Sequence, residues 1–417
     1  MDETIPPLPP LPRRAFLGGA AAALASTSGF ERALRAAEGE APGETLSVAV
    51  IGHTGRGGYG HAMDTLWRDL PGIEIVGVSD PDGEGRASAV ERLGLSPERG
   101  FADYREMLET LRPDLVSVAP RHIDQHREMA VAAADVGAKG IYMEKPFCRD
   151  LEESDAVVEA CEGHGTRLAL AHRNRYHPAL PVVADLVGSG LVGQWLELRM
   201  RGKEDRRGGA LDLWVLGSHL LNLSHFLTGE ALSCSARIRH EGRPAAIEDA
   251  YEGDEGVGFI LGDEIHARYE TERGVPVTFD SKRGAGVAEA GFGIQLIGTE
   301  GVVDLRMDTE PLAHFLPGNP FSPSKGAREW IPVTSGGVGE PEPVAEIRKW
   351  VAGHAGPVAD LVAAIREGRE PLCSARDGRA VVEMTMAVFA SHLRGGEAVP
   401  LPLEERRNPL STARAGA

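Results

Sequence analysis

The sequence predicts two successive domains: an α/β domain whose parallel sheet carries helices on both faces, then an α+β domain with a large, mostly antiparallel open sheet. Three observations carry this reading. Short, continuous apolar runs alternate with helical stretches up to residue 172, and strands that are apolar throughout need cover on both faces. Beyond about residue 190 the turns come closer together and apolar residues alternate with polar ones, as in strands with one wet face. A chain of 417 residues also exceeds what one hydrophobic core normally absorbs.

Taken in order, the first stretch is not fold. "LPRRAFLGGAAAALAS" carries Arg13 and Arg14 ahead of a Gly/Ala-rich apolar run, with "ALA" at residues 23–25 as a small-residue cleavage site. It resembles a twin-arginine export signal, with Pro12 and Gly18 where that pattern has Ser and Lys. Residues 1–43 are set apart as export signal and linker. A functional signal implies a periplasmic or other extracytoplasmic location, and a silent one a cytoplasmic location.

The runs "LSVAVIG", "IEIVGVSD", "LVSVAP", "GIYMEK" and "RLALAH" are the strands of a first domain over residues 44–172. In a second domain over residues 173–403, "QWLELRMRG", "LSCSARIRHE", "GVGFILG", "IHARYETE", "VPVTFDS" and "FGIQLIGTEGVVDL" read as strands. Two closing helices, near "PVADLVAAIREG" and "RDGRAVVEMTMAVFASHLRGG", end at Gly368 and Gly395. Residues 310–345, rich in Pro, Gly and Ser, read as a long loop, and residues 404–417 as a tail.

Composition narrows the partners. A net charge of −18 argues against a nucleic-acid binder, which needs a basic face. No apolar run reaches the roughly 18 residues that span a bilayer. Cys148, Cys161, Cys234 and Cys373 form no CxxC pair, so they read as isolated buried thiols and no metal site is expected.

"VAVIGHTGRGGYGH" follows the first strand and is expected to open a helix, the context in which a glycine pattern becomes a dinucleotide site. Gly55, Gly57 and Gly60 fit GxGxxG literally; Gly52, Gly55 and Gly58 fit GxxGxxG. Counting from Gly52 is preferred, because the tight turn must come straight after the strand; Thr54 then replaces the middle glycine and Gly57 is the last. The turn Gly52, His53, Thr54, Gly55, Arg56 and Gly57 would then hold a pyrophosphate on backbone amides. Asp80 ends the second strand, 28 residues after Gly52, where a carboxylate accepts ribose hydroxyls and repels a 2′-phosphate. That favours NAD, with NADP as the alternative. The first domain therefore reads as an NAD(P)-binding Rossmann domain.

"GIYMEKPFCRD" places Glu144, Lys145 and Pro146 where an apolar strand surfaces. The bland reading is a solvated strand end; the chemical reading is a lysine at the rim of an active site. With "AVIGHTGRG", "VSDPD", "MEKP", "HRNRYHP", "LIGTEGVVDL" and "DLVAAIREGREPL" in order, residues 44–403 resemble the Gfo/Idh/MocA oxidoreductase family, which includes glucose–fructose oxidoreductase and inositol dehydrogenase. The resemblance implies that Lys145 lies near nicotinamide and substrate, sharing removal of the hydroxyl proton. It implies supporting places for Glu144 and Pro120, a cofactor-side place for His126, and a substrate-side place for Arg175.

One departure stands out. Gly217 and His219 match the family's D-x-G-x-H, but Val215 stands where its aspartate belongs. Asp212, on the face of His219 in one continuous helix, would be about 10 Å away along the axis, too far for a direct hydrogen bond; both could touch one sugar at different hydroxyls, so His219 is expected as acid/base or substrate ligand, with Asp212 as a second catalytic candidate. "RGKEDRRGG", with Lys203, Arg206 and Arg207, reads as a solvated loop or as a site for an acidic sugar.

The expected function is hydride transfer between nicotinamide and a secondary alcohol of a sugar, polyol or sugar derivative. A redox-neutral use of the cofactor in glycoside hydrolysis, elimination or epimerisation is the alternative. A non-catalytic, cofactor-bound sugar-binding protein is the third reading. The partner is a small carbohydrate, and a homo-oligomer, dimer or tetramer, is expected by resemblance alone.

Overall fold

The structure, a computed structural model, describes residues 45–68, 70–286, 292–323 and 326–416. The export-signal reading lies outside the described residues. Among these, no helix is long and apolar enough to cross a membrane.

The first sheet has strands β1 (Leu46–Ile51), β2 (Ile73–Ser79), β3 (Gly100–Phe101), β4 (Leu115–Val118), β5 (Gly140–Met143) and β6 (Arg167–Leu170). All pair in parallel in the order β3-β2-β1-β4-β5-β6. Connections run out from β1 to both edges, which opens a crevice at the carboxyl ends of β1 and β4. Helices α1 (Gly83–Leu93), α2 (Tyr104–Leu111), α3 (His126–Asp135) and α4 (Leu151–His164) link the strands. Asp82, Asp103 and Asp150 cap three of them through side-chain acceptors.

Between β1 and β2 the described residues contain no α-helix, only turns and the 3-10 helix Thr65–Trp67, so the expected helix after the glycine turn is corrected. The cause is local. Gly55, Gly57, Gly58, Gly60 and Ala62 all have positive φ, and a right-handed helix cannot run through them.

The second domain holds α5 (Leu180–Gly188), β7 (Trp195–Arg201), α6 (Ala210–Val215), α7 (Gly217–Thr228), β8 (Ala231–His240) and β9 (Arg243–Pro244). There follow β10 (Ala250–Glu252), β11 (Phe259–Leu261), β12 (Glu264–Thr271), β13 (Val277–Lys282), β14 (Gly293–Gly298) and β15 (Gly301–Arg306). The chain continues through β16 (Ala313–Pro317), β17 (Ile331–Thr334), β18 (Gly337–Val338), α8 (Ile347–Val351), α9 (Ala355–Glu367), α10 (Ala375–Leu393), β19 (Val399–Pro400) and α11 (Pro409–Ala415). The large sheet runs β18-β17-β16-β15-β14-β7-β13-β12-β8-β19 and is antiparallel except at β7 and β13. One face packs on α7 and α10; the other carries the alternating polar residues His266, Arg268 and Glu270.

Two boundaries differ from expectation. The segment read as a loop over residues 310–345 contains β16, β17 and β18; Pro332 is tolerated there because it lies near the sheet edge. Residues 404–416 are not a tail. Arg406 pairs with Asp155, Leu410 is fully buried, and Arg414 stacks on Phe259 at 4.5 Å. The four cysteines are free and buried.

Candidate active site

At the end of β5 the chain stays tied to the sheet, with Glu144 N donating to Val118 O at 2.9 Å. Glu144 is fully buried. Its Oε2 accepts from His61 N at 3.1 Å and His61 Nδ1 at 2.8 Å, and its Oε1 from Lys145 N at 3.0 Å. Burial pushes the carboxyl up, but the His61 hydrogen bond and charge, with Lys145, outweigh it and hold the group at about 2. Glu144 therefore braces the glycine turn against the strand end from beneath.

Lys145 is only 5% exposed and the Lys145–Pro146 bond is cis. Its Nζ donates to Val215 O at 3.3 Å. That carbonyl lacks its helical amide because the helix breaks: α6 stops at Val215, and His219 N turns to Leu216 O instead, leaving Val215 O to Lys145 and, at 3.5 Å, Ser218 Oγ. So Val215 contributes its backbone where a relay aspartate would contribute its side chain. Burial lowers the Lys145 pKa, while Glu144 and then Glu255 act against it. An ammonium poised in this way gives up its proton more readily than a surface lysine.

Two imidazoles complete the cleft. His172, just past β6, meets His219 of α7 with Nδ1 atoms 3.4 Å apart and rings near perpendicular. One Nδ1 must donate and the other accept, which needs the accepting ring neutral. Burial, reinforced by Lys145, lowers His172 to about 3, and burial with the neighbouring His172 and Lys145 takes His219 well below its usual value. His172 was not singled out in the sequence, although it stands at the carboxyl edge of the sheet in "LALAHRN". Neither His61 nor Glu255 carried a sequence signal for its place here.

The glycine turn closes on itself, with His53 N and O bonded to Gly58 O and N at 3.1 and 2.9 Å. A Cβ on Gly57 would stand 2.5 Å from Arg121 N, and one on Gly60 2.5 Å from Glu144 Oε2. Gly55, at φ +84°, faces open space. Among the described residues the amides of Gly55, Gly57 and Tyr59 have no acceptor, so they are available to phosphate oxygens. His53 is bonded to Gln125 Oε1 at 2.7 Å and Arg56 is paired with Asp124, both from the segment after β4. They fix the turn through side chains.

Three expectations are corrected. Asp80 is fully buried, and its oxygens accept from Thr54 N, Thr54 Oγ1 and Asp82 N at 2.8–3.1 Å. Substituting Thr54 for the middle glycine supplies a hydroxyl that seals the carboxylate away from a ribose. His126 is also fully buried, with Nε2 2.8 Å from Pro120 O and Nδ1 3.0 and 3.1 Å from Pro146 O and Phe147 O. It fastens the E-K-P turn to the end of β4, and Pro120 serves as its anchor. Asp212 Oδ2 accepts from Ser281 Oγ at 2.6 Å and Glu204 N at 3.0 Å, so it holds the loop before α6 and does not join His219. Arg175 is buried to about the degree of Lys145 and His219, with its guanidinium 3.5 Å over the Phe226 ring, and its substrate-side place remains an expectation. Of the basic loop, Lys203 and Arg206 are exposed and Arg207 is paired with Asp205. Among the described residues, no group of His, Cys, Asp or Glu could hold a metal.

Residues 46–172 match the model of an oxidoreductase family with an NAD-binding Rossmann fold, and residues 186–401 match that family's C-terminal alpha/beta domain. The chain belongs to the Gfo/Idh/MocA oxidoreductase family. Similar proteins include a D-apiose dehydrogenase of Paraburkholderia graminis, 27% identical over 83% of this chain and 88% of the relative. A scyllo-inositol 2-dehydrogenase (NAD(+)) of Bacillus subtilis is 35% identical over 36% of this chain and 42% of the relative. The fold matches a levoglucosan dehydrogenase in complex with NADH and levoglucosan, with TM-score 0.68 and 20% identity over 86% of this chain and 100% of that one. The chain is an NAD-dependent oxidoreductase. The close glycine packing and the free turn amides fit the dinucleotide's phosphates, whereas Asp80 does not present itself to the adenosine ribose.

Proposed function

We propose that this enzyme reversibly oxidises a secondary alcohol of a sugar or polyol. The observation that carries the reading is Lys145: a buried amine at the carboxyl edge of the sheet, held by one backbone carbonyl, with a charge that helps keep the paired His172 and His219 neutral. When bound, NAD supplies the hydride acceptor. Lys145 Nζ, in its neutral form, takes the hydroxyl proton, because burial favours that form. His172 and His219, neutral and locked edge to face, hold neighbouring hydroxyls in place. Glu144, with His61, keeps the strand end and glycine turn in register. The names of the relatives, dehydrogenases of D-apiose, scyllo-inositol and levoglucosan, support a carbohydrate substrate. The N-terminal "PRRAFLGG" supports export by the twin-arginine route, and the open polar face of the large sheet suits a dimer or tetramer.

The test is reduced-nicotinamide absorbance when the protein meets NAD with a panel of sugars and polyols. A steady rise with one of them supports net oxidation. Isotope exchange at a sugar C–H without net absorbance change would instead favour the redox-neutral use of the cofactor.

A further inference from the structure

One carboxylate in the second domain has no use in the fold. Between β10 and β11, residues Asp254–Gly256 form a 3-10 turn in which Glu255 adopts φ 60° and ψ 20°. L side chains avoid this left-handed region, and such strain persists where the surroundings demand it. The turn packs on the Ile123–Gln125 segment of the Rossmann domain, where a Cβ on Gly256 would stand 2.8 Å from Asp124 Oδ1. Asp124 pairs with Arg56, and Gln125 holds His53, so the turn reaches the glycine turn itself. Glu255 Oε2 is buried there with no hydrogen-bond partner among the described residues. An unpaired buried acceptor is costly, as is a strained backbone. Both costs fall on one residue, in the turn against Ile123–Gln125, whose charge is felt by Lys145, Arg207 and His122.

We propose that Glu255 anchors a hydroxyl of the substrate, supplying from the β10–β11 turn the carboxylate that Val215 removes from the helix. The proposal rests on the sugar-alcohol reading above. A carboxylate near enough for its charge to act on a lysine suits a vicinal diol: it accepts the hydrogen of one hydroxyl while the next is presented to Lys145. The charge of Glu255 also favours protonated Lys145, together with Glu144 and against Arg121 and Arg207. His172 and His219, both neutral, lie where the charge of the same amine acts on them.

Glu255→Gln and Glu255→Gly, beside the parent, are assayed with NAD on D-apiose, levoglucosan and scyllo-inositol. On the sugar that the parent oxidises, both variants raise KM about 10- to 100-fold, the range for a lost hydrogen bond to a charged group. NAD affinity stays within about twofold, and the acid limb of kcat/KM moves to lower pH because Lys145 loses a favourable charge. Glu255→Gly melts at or above the parent, since glycine relieves the left-handed backbone. Parental KM with an unmoved pH limb overturns the proposal, as does a parallel loss of NAD affinity, which would make the turn a cofactor clasp. If the parent oxidises none of the three sugars, the functional reading itself fails and the proposal falls with it.

Discussion

Asp80 shows how one neighbour redirects a side chain. Its position after β2 is where a carboxylate reads ribose, yet Thr54 donates to it through both amide and hydroxyl. The position was legible in the sequence; the seal was not, because it depends on a threonine 26 residues away folding over the strand end. Asp80→Ala leaves the amides of Thr54 and Asp82 unpaired in the interior and costs about 2–4 kcal/mol. NAD and NADP affinities should fall together, measured by titrating both against the variant. A tenfold shift towards NADP would restore the ribose role. Lys145 was legible for the opposite reason: E-K-P is contiguous, and its place at a strand end needs no distant partner. His172 and Glu255 matter through contacts made across the two domains, which spacing along the chain does not encode.

At the scale of elements, strand and helix identity followed from periodicity, while breaks and turns did not. The helix carrying His219 was expected to be continuous with Asp212; it breaks at Leu216, φ −110° and ψ −39°. Gly217 sits at the break against the Phe279 ring, 3.0 Å from where a Cβ would be. The break exposes Val215 O to Lys145 and turns Asp212 towards Ser281 and Glu204. Asp212 is thus a strut. Asp212→Ala should cost about 2–3 kcal/mol by orphaning those donors, with kcat of the folded enzyme within a few-fold of the parent. Denaturant midpoints and turnover on the same samples check this; a fully stable variant with turnover lost a hundredfold would return Asp212 to the chemistry. The glycine turn gives the same lesson, since four glycines permit positive φ but only the fold shows that no helix follows.

Across the whole molecule, the second domain does more than present a sheet. Its α9 returns to pack on β5 and β6, and its His354 reaches Tyr142 at 2.5 Å behind Glu144. Burial lowers His354 to about 4 and His172 to about 3, below the usual 6.5. Both are folded in the neutral state, so their contribution is full above about pH 6.5 and is lost as pH falls towards those values. Glu144, held at about 2, adds a loss in the same direction below about pH 4.5. At about 1.4 kcal/mol per unit for each histidine, stability should drop by about 5 kcal/mol between pH 6.5 and 4.5. Denaturant melts at neutral and acid pH check this; an unchanged midpoint would mean that the rings are not buried neutral. The two domains meet at Lys145, and the claim that they form one hydride-transfer site is tested most directly there. Parent and Lys145→Ala, both shown to bind NAD, are mixed with the sugar that the parent oxidises, and reduction of the bound nicotinamide is followed in a single turnover. The account predicts a rate about 10²- to 10⁴-fold lower in the variant with NAD affinity unchanged; a rate within threefold of the parent would contradict it.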